Sequence, residues 1–261
     1  MGSGGCFSRW IVESLSWRCI PEIWSGVSGR RSSSSPRSSS RAGTNRAHWR
    51  GCSRRAMLKS LVDAVMERRA RQLMEQVGAW LPTEGPLLDL GSGTGHLSAR
   101  LERELGLEVV TADVSDIHVV GRPPVLIADG VLPFEEGTFS AALLFFMLAY
   151  PNDPAGVLAE AARVTRGPII LVQSLHSGRL GYAWLRLREF LWTIVAFHVS
   201  KVLGYVPPDA KFTMNTRRFY TAQELRRDVA AAGLQVRSRR ERPVLTGRSL
   251  VVAGWILERD E

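Results

Sequence analysis

From Leu87 to His96 the chain reads Leu-Leu-Asp-Leu-Gly-Ser-Gly-Thr-Gly-His, an apolar run closed by an acid and followed by glycine at every second position. The run suits a buried strand, the repeated glycines suit a turn of positive φ, and the stretch from His96 to Leu105 has helical periodicity. A strand-turn-helix unit of this kind offers bare main chain and a helix N-terminus, the device by which α/β folds hold a nucleoside cofactor. The third glycine decides which cofactor. A dinucleotide fingerprint needs Gly or Ala at position 96, where helix and strand pack closely, and His96 stands there. A lone glycine triplet also serves as a plain turn, so a cofactor role requires matching residues further along the chain.

About twenty residues on, as a nucleoside site requires, Leu107 to Thr111 reads as a second strand ending at Asp113 and Val114. An acid there faces ribose hydroxyls and would repel a 2′-phosphate. A third strand, Pro124 to Ala128, ends in Asp129-Gly130. The D-x-G-x-G-x-G spacing of Asp89, Gly91, Gly93 and Gly95 resembles motif I of class I S-adenosylmethionine-dependent methyltransferases. The order then continues through Leu132-Pro133-Phe134, Phe139 to Met147, Val157-Leu158-Ala159-Glu160 with Arg163-Val164, and Gly167 to Val172. It is similar to the pattern of the small-molecule (type 11) subgroup that contains the ubiquinone and menaquinone biosynthesis enzymes.

The resemblance implies S-adenosyl-L-methionine as cofactor. Asp89 is then the acid that contacts its methionine end, often through water. The main chain of Gly91, Ser92, Gly93 and Gly95 approaches it, Asp113 and Val114 meet the ribose, Asp129 receives the adenine amino group, and Gly130 lines the ring. One departure is visible: Ser140 stands where the subgroup has Asp after Phe139, which puts the usual role of that Asp in doubt.

With 34 basic and 25 acidic side chains the chain carries a formal charge of +9, which by itself suggests a nucleic-acid partner. Residues 1–56, however, hold ten Arg against only Glu13 and Glu22, so the remainder is close to neutral and makes no argument for a polyanionic substrate. All three cysteines, Cys6, Cys19 and Cys52, also lie in that leading stretch. Nothing after residue 56 can supply a thiolate nucleophile, a disulfide or sulfur ligation of zinc, which excludes Cys-dependent C5 methylation of pyrimidines and fits a reducing, cytoplasmic setting. The five histidines show no ligand spacing, and no metal is expected.

Residues 1–56, rich in Ser, Arg and Gly, are expected to be disordered, because such a stretch buries too little apolar surface to offset its ordering entropy. Three readings stand for it: an organellar transit peptide, a basic arm for an anionic surface, or sequence from a start upstream of Met57. Residues 57–261 form the expected methyltransferase domain. An amphipathic helix through Leu58, Leu61, Val65, Leu73, Val77 and Trp80 precedes the first strand, and Pro82 to Pro86 stop it. Strands then alternate with helices, which implies parallel pairing and right-handed crossovers. A helix from Thr221 to Ala232, capped by Thr221 with Glu224, precedes strands Leu234 to Arg239 and Leu250 to Leu257, a hairpin. The expected architecture is an α/β, Rossmann-like, doubly wound seven-stranded sheet, mostly parallel with the last strand antiparallel, and with a helical insertion after strand five.

That insertion, 178–219, holds a Trp-rich helix from Leu180 to Val206 with a polar stripe at Arg186, Glu189, Thr193 and Ser200. It carries too many charges to span a membrane. Two readings stand: an ordinary cap buried against the sheet, or a helix that also walls an apolar acceptor pocket or dips into a bilayer surface through 180–206.

Methyl transfer from a sulfonium needs alignment and a dry site more than acid-base help, so a base matters only where the acceptor loses a proton. Tyr150, His176 and His198 are the candidates. The leading expectation is O- or C-methylation of an apolar small-molecule or lipid-like acceptor. An RNA or protein methyltransferase is the enzyme alternative, although Ala149-Tyr150-Pro151-Asn152 departs from the loop that grips a flipped base, and no specific nucleic-acid partner is expected. A non-catalytic cofactor-binding scaffold is the third reading.

Overall fold

The computed structural model describes residues 45–128, 130–203, 216–244 and 249–259. Its elements are α1 (Asn45–Val77), β1 (Leu87–Leu90), α2 (His96–Leu105), β2 (Val109–Asp113), β3 (Val125–Leu126), β4 (Ala141–Phe145), α3 (Pro154–Val164), β5 (Ile169–His176), α4 (Gly178–Leu203), α5 (Ala222–Ala231), β6 (Leu234–Pro243) and β7 (Leu250–Arg259). The strands form one seven-stranded sheet in the order β3-β2-β1-β4-β5-β7-β6. Pairing is parallel from β3 to β5, and β7 runs antiparallel between β5 and β6. The seven-stranded, mostly parallel arrangement with an antiparallel last strand is the one expected from the sequence.

The apolar runs become central strands because both faces of the sheet are covered. Leu88, Leu90, Ala142, Leu144, Ile169 and Leu171 point to one core, where Leu158 and Ala161 of α3 and Leu225 and Val229 of α5 meet them. Their alternating neighbours Leu87, Ala141, Leu143, Ile170 and Val172 point to the other, against Leu73 and Val77 of α1 and Leu101 of α2. Strand order reverses between β1 and β4, so the carboxyl edge opens there into the crevice where open α/β sheets place ligands.

Several boundaries differ from the sequence expectation, each for a physical reason. α1 already begins at Asn45, inside the 1–56 stretch; once a helix is nucleated downstream, residues such as the Arg and Ala of this segment extend it at little cost. β3 shrinks to two residues because Pro124 supplies no N–H to a ladder at one end and Ala128 turns to bridge Val131 at the other. β4 stops at Phe145, since Phe146 turns out of the strand with φ 57°. β5 runs on to His176 because β7 pairs along its whole length, from Ile169 opposite Leu257 to His176 opposite Leu250.

The expected capping box is present: Thr221 Oγ1 accepts from the Glu224 N–H at 3.2 Å, and the Thr221 N–H donates to Glu224 Oε2 at 2.8 Å. The family-like residues Glu160 and Arg163 act together as a clamp. Glu160 Oε1 accepts the Leu132 N–H at 2.8 Å, while Arg163 donates to the carbonyls of Leu132 and Phe134 and to Glu160 itself. They thereby tie α3 to the link between β3 and β4. Hydrogen bonding from Arg163 holds the Glu160 carboxyl below its ordinary range, against the opposing effect of burial. A depressed carboxyl contributes stability above its unfolded value and loses it as pH falls. Glu160→Gln is therefore expected to cost about 1 kcal/mol near neutrality, tempered by solvent at the half-exposed Arg163. In urea titrations the gap between wild type and variant should close as pH drops below about 4.3; a gap that stays constant down to that range would remove the ionised clamp.

Candidate functional site

The turn after β1 is built from backbone that only glycine adopts freely. Gly91, Gly93 and Gly95 have φ of 81°, 59° and 80°. The Gly91 N–H donates to the Ala112 carbonyl at 2.6 Å, and the Gly93 N–H donates to Asp113 Oδ2 at 2.9 Å. Asp113 is buried at the end of β2, and its other oxygen accepts the Val114 N–H at 2.8 Å. Its carboxylate is thus fixed in orientation at the mouth of the crevice.

The glycines differ in their surroundings. A Cβ on Gly95 would stand 2.3 Å from the Val120 carbonyl and 3.0 Å from the His118 ring, so here glycine is required by packing against the chain itself. A Cβ on Gly93 would meet nothing within 4 Å. Space beside the turn therefore lies at Gly93.

The segment after β2 folds over the turn, its Val119 and Val120 N–H groups directed at the Thr94 carbonyl. His118, which no sequence motif marks, holds this closure. Its Nδ1 lies 2.5 Å from the Arg122 carbonyl, which can only accept, so in the neutral ring Nε2 accepts from the Ser92 hydroxyl at 2.8 Å. Asp89 is buried in β1 and takes a hydrogen bond from Ser98 Oγ of α2. His96 fills the place where a dinucleotide fold keeps a small residue, with Nδ1 3.0 Å from Thr94 Oγ1 and Nε2 3.5 Å from Asp63 of α1. Burial pushes its pKa below the ordinary value, against the pull of Asp63 and Glu67.

The structure thus brings together Asp89, Gly91, Ser92, Gly93, Gly95, Asp113 and Val114. Gly130 lies beyond β3 in a turn closed by the Val131 N–H on the Ala128 carbonyl, with φ 74°; Asp129 lies outside the described residues. Ser140 sits at the opposite, amino edge of β4, where its Oγ and N–H both reach the Pro86 carbonyl at 2.9 Å. The departure at this position therefore does not touch the crevice.

On the other side of the reversal point, a narrow cleft opens at the carboxyl ends of β4 and β5. Phe146, Ala149 and Tyr150 form one wall, Gln173 and Ser174 the floor, and Leu185, Arg188 and Glu189 of α4 the roof. Thr216, Arg218 and Phe219 close it. They are held there because the Arg217 and Arg218 N–H groups both reach the Ala149 carbonyl. Thr216 Oγ1 donates to Glu189 Oε1 at 2.7 Å.

Phe146 is the one non-glycine residue with positive φ among those described. This backbone costs roughly 1–2 kcal/mol, and such strain collects where surrounding packing holds a residue for a purpose. The Arg69 guanidinium of α1 lies over the Phe146 ring at 4.6 Å, a cation–π contact inside the same cleft.

Of the three base candidates, the structure sets Tyr150 alone on the cleft wall. His176 is the last residue of β5; its Nε2 reaches the Phe219 carbonyl at 3.2 Å, and its ring meets Tyr182 edge-on. His198 is exposed on α4, with Nδ1 on the Ile194 carbonyl at 2.8 Å. The sequence reading missed Arg69, Phe146, Gln173 and Glu189 as cleft residues, since they come from four separate elements and share no local signal. It also set Glu189 and Thr193 in a polar stripe without saying where the stripe faced; both are buried, turned toward the protein.

A methyltransferase-domain model matches residues 62–239, well over half of the chain. The chain belongs to this methyltransferase family. Uncharacterized methyltransferases of Mycobacterium tuberculosis and Mycobacterium bovis are 34% identical to it over 199 residues, covering 65% of this chain and 80% of theirs. Among solved structures, the geranyl diphosphate C-methyltransferase of Streptomyces coelicolor superimposes with a TM-score of 0.50 at 14% identity, over 77% of this chain and 82% of that one. The cyclase SpnF gives 0.51 at 13% identity, over 74% and 80%. At such identities the shared property is the fold. Family and topology together make the protein a class I S-adenosylmethionine-dependent methyltransferase.

In this methyltransferase the two turn glycines are expected to separate by stability. Gly93→Ala and Gly95→Ala both meet the cost of positive φ, roughly 1–2 kcal/mol, but only the second drives a Cβ into the Val120 carbonyl. Thermal denaturation should show at least about twice the loss of Tm for Gly95→Ala. Equal losses would mean that the segment after β2 does not close on the turn.

Proposed function

We propose that the chain methylates a small acceptor with an apolar body and a polar or anionic end, seated in the cleft between β4, β5 and α4. The observation that carries this reading is the adjacency of two half-sites across the reversal point, one of bare turn and fixed acid, the other of mixed apolar and polar walls. On this reading Asp89, Gly91, Ser92, Gly93, Gly95, Asp113, Val114 and Gly130 hold S-adenosyl-L-methionine, with Asp129 carried over from the family pattern. The open space beside Gly93 and the fixed Asp113 carboxylate suit main-chain contact and a ribose. When bound, this cofactor supplies an electrophilic methyl carbon on a sulfonium whose departure needs no protonation.

The protein's own contribution is then alignment and exclusion of water. Phe146, Leu185 and Phe219 give the acceptor apolar walls. Arg69, Arg188 and Arg218 outnumber Glu189 among the charged lining residues, which favours an oxygen-rich or anionic end on the apolar small-molecule or lipid-like acceptor expected from the sequence. On this reading Tyr150, on the cleft wall, hydrogen-bonds an acceptor hydroxyl and orients it toward the methyl carbon.

Three measurements test this. Calorimetry with S-adenosylhomocysteine should show an affinity about tenfold or more weaker for Asp113→Ala, the loss of hydrogen bonds to a charged group; wild-type affinity would remove Asp113 from the site. Tyr150→Phe should lower kcat while leaving that affinity unchanged. Methyl transfer into extracts divided into lipid, small-molecule and RNA fractions should occur in the first two, and turnover confined to RNA would overturn the acceptor reading.

A further inference from the structure

α4 buries two polar side chains and leaves a row of large apolar ones outside. Leu185, Glu189, Thr193 and Phe197 are buried against the protein. Outward, at spacings of three and four, stand Leu180, Trp184, Leu187, Leu191 and Val195, with exposures of 83, 39, 48, 53 and 48%. Residues so spaced lie on one side of a helix and form a continuous apolar ridge. A carboxylate turned inward and leucines turned outward describe a surface element that meets something other than water.

The charges beside the ridge say what it meets. Arg179 and Arg186 are exposed and project to one edge of it on a helical wheel. Arg186 continues into a groove of about 500 Å³ that it shares with Tyr182, Arg217, Arg218, Arg227 and Glu224. Asp228 also lines it and pairs with Arg218 at 3.4 Å, so four guanidinium groups face two carboxylates and the groove keeps a positive excess. Long basic side chains beside an apolar ridge reach headgroup phosphates while the ridge enters the acyl boundary. No helix among the described residues is long and apolar enough to cross a membrane. A second copy of the chain would bring the same arginines face to face in a twofold pair.

We infer that α4 lies in the surface of an anionic bilayer, its ridge of Leu180, Trp184, Leu187, Leu191 and Val195 inserted and the arginine groove on lipid phosphates. This docking does not depend on the acceptor proposed above.

The test is flotation of the full chain with phosphatidylcholine vesicles, with and without phosphatidylglycerol, at physiological salt. Leu187→Gln/Leu191→Gln keeps every charge, including those of residues 1–56, and removes only apolar contact. The wild type should float with the anionic vesicles, and the double variant should partition about tenfold or more weakly. Leu180→Gln, at the most exposed position, should weaken partition in the same direction. Wild type that stays unbound, or a double variant that partitions equally, overturns the inference. So does light scattering that finds a wild-type dimer and a double-variant monomer, since the ridge would then be an interface between copies.

Discussion

Two hydrogen bonds donated by main-chain N–H groups, from Gly91 to the Ala112 carbonyl and from Gly93 to the Asp113 carboxylate, carry the pairing of β1 with β2 beyond the end of β1 and into the turn. The sheet is buried on both faces, so its strands can expose functional backbone only at their ends. At the carboxyl end of β1 the turn must reverse direction within a few residues and still satisfy its N–H groups. Positive φ at alternate positions allows this, and the buried Asp113 acts as one of the acceptors. The closure of Val119 and Val120 on Thr94, and of His118 on Ser92, is then set by where the turn has been placed.

The second half of the site depends on a different constraint. β1 and β4 are neighbours whose crossovers leave in opposite directions, so neither crossover helix covers the edge between them. Phe146 leaves β4 there in a strained conformation, held from one side by its N–H on the Val172 carbonyl and from the other by the Arg69 guanidinium. The Ala149 carbonyl then collects the Arg217 and Arg218 N–H groups, which brings the end of the insertion back over the cleft. Glu189 is buried there because Thr216 Oγ1 donates to its carboxylate within the cleft, a partner that the apolar cores would not offer.

Residues that match a family pattern need not touch ligand. Leu132, Phe134, Glu160 and Arg163 match the pattern that supports the resemblance, and in the fold they form a clamp between α3 and a connecting segment. Ser140, the departure from that pattern, meets the Pro86 carbonyl at the far edge of the sheet. Such positions are legible in sequence because they keep a fixed chain order, and their roles become readable only when the partners are seen. For the same reason β3 looked longer than it is: its apolar residues were visible, while the bridge that takes Ala128 to Val131 was not.

The sequence by itself determined the strand-turn-helix unit at Leu87 to Leu105, the seven-strand alternation, the capping box at Thr221 and the placement of an acid beside the turn. These are local properties: alternation, helical period, the steric freedom of glycine and the reach of a side chain to its own helix end. Only the tertiary structure decided that Tyr150, and not His176 or His198, reaches the cleft, that Arg69 lies over Phe146, and that α4 turns Glu189 inward and Leu191 outward. A helical wheel relates side chains to one another but carries no information about which side will be covered. That choice is made by contacts with α1, β5 and the 216–219 segment, residues far away along the chain whose approach no local pattern encodes.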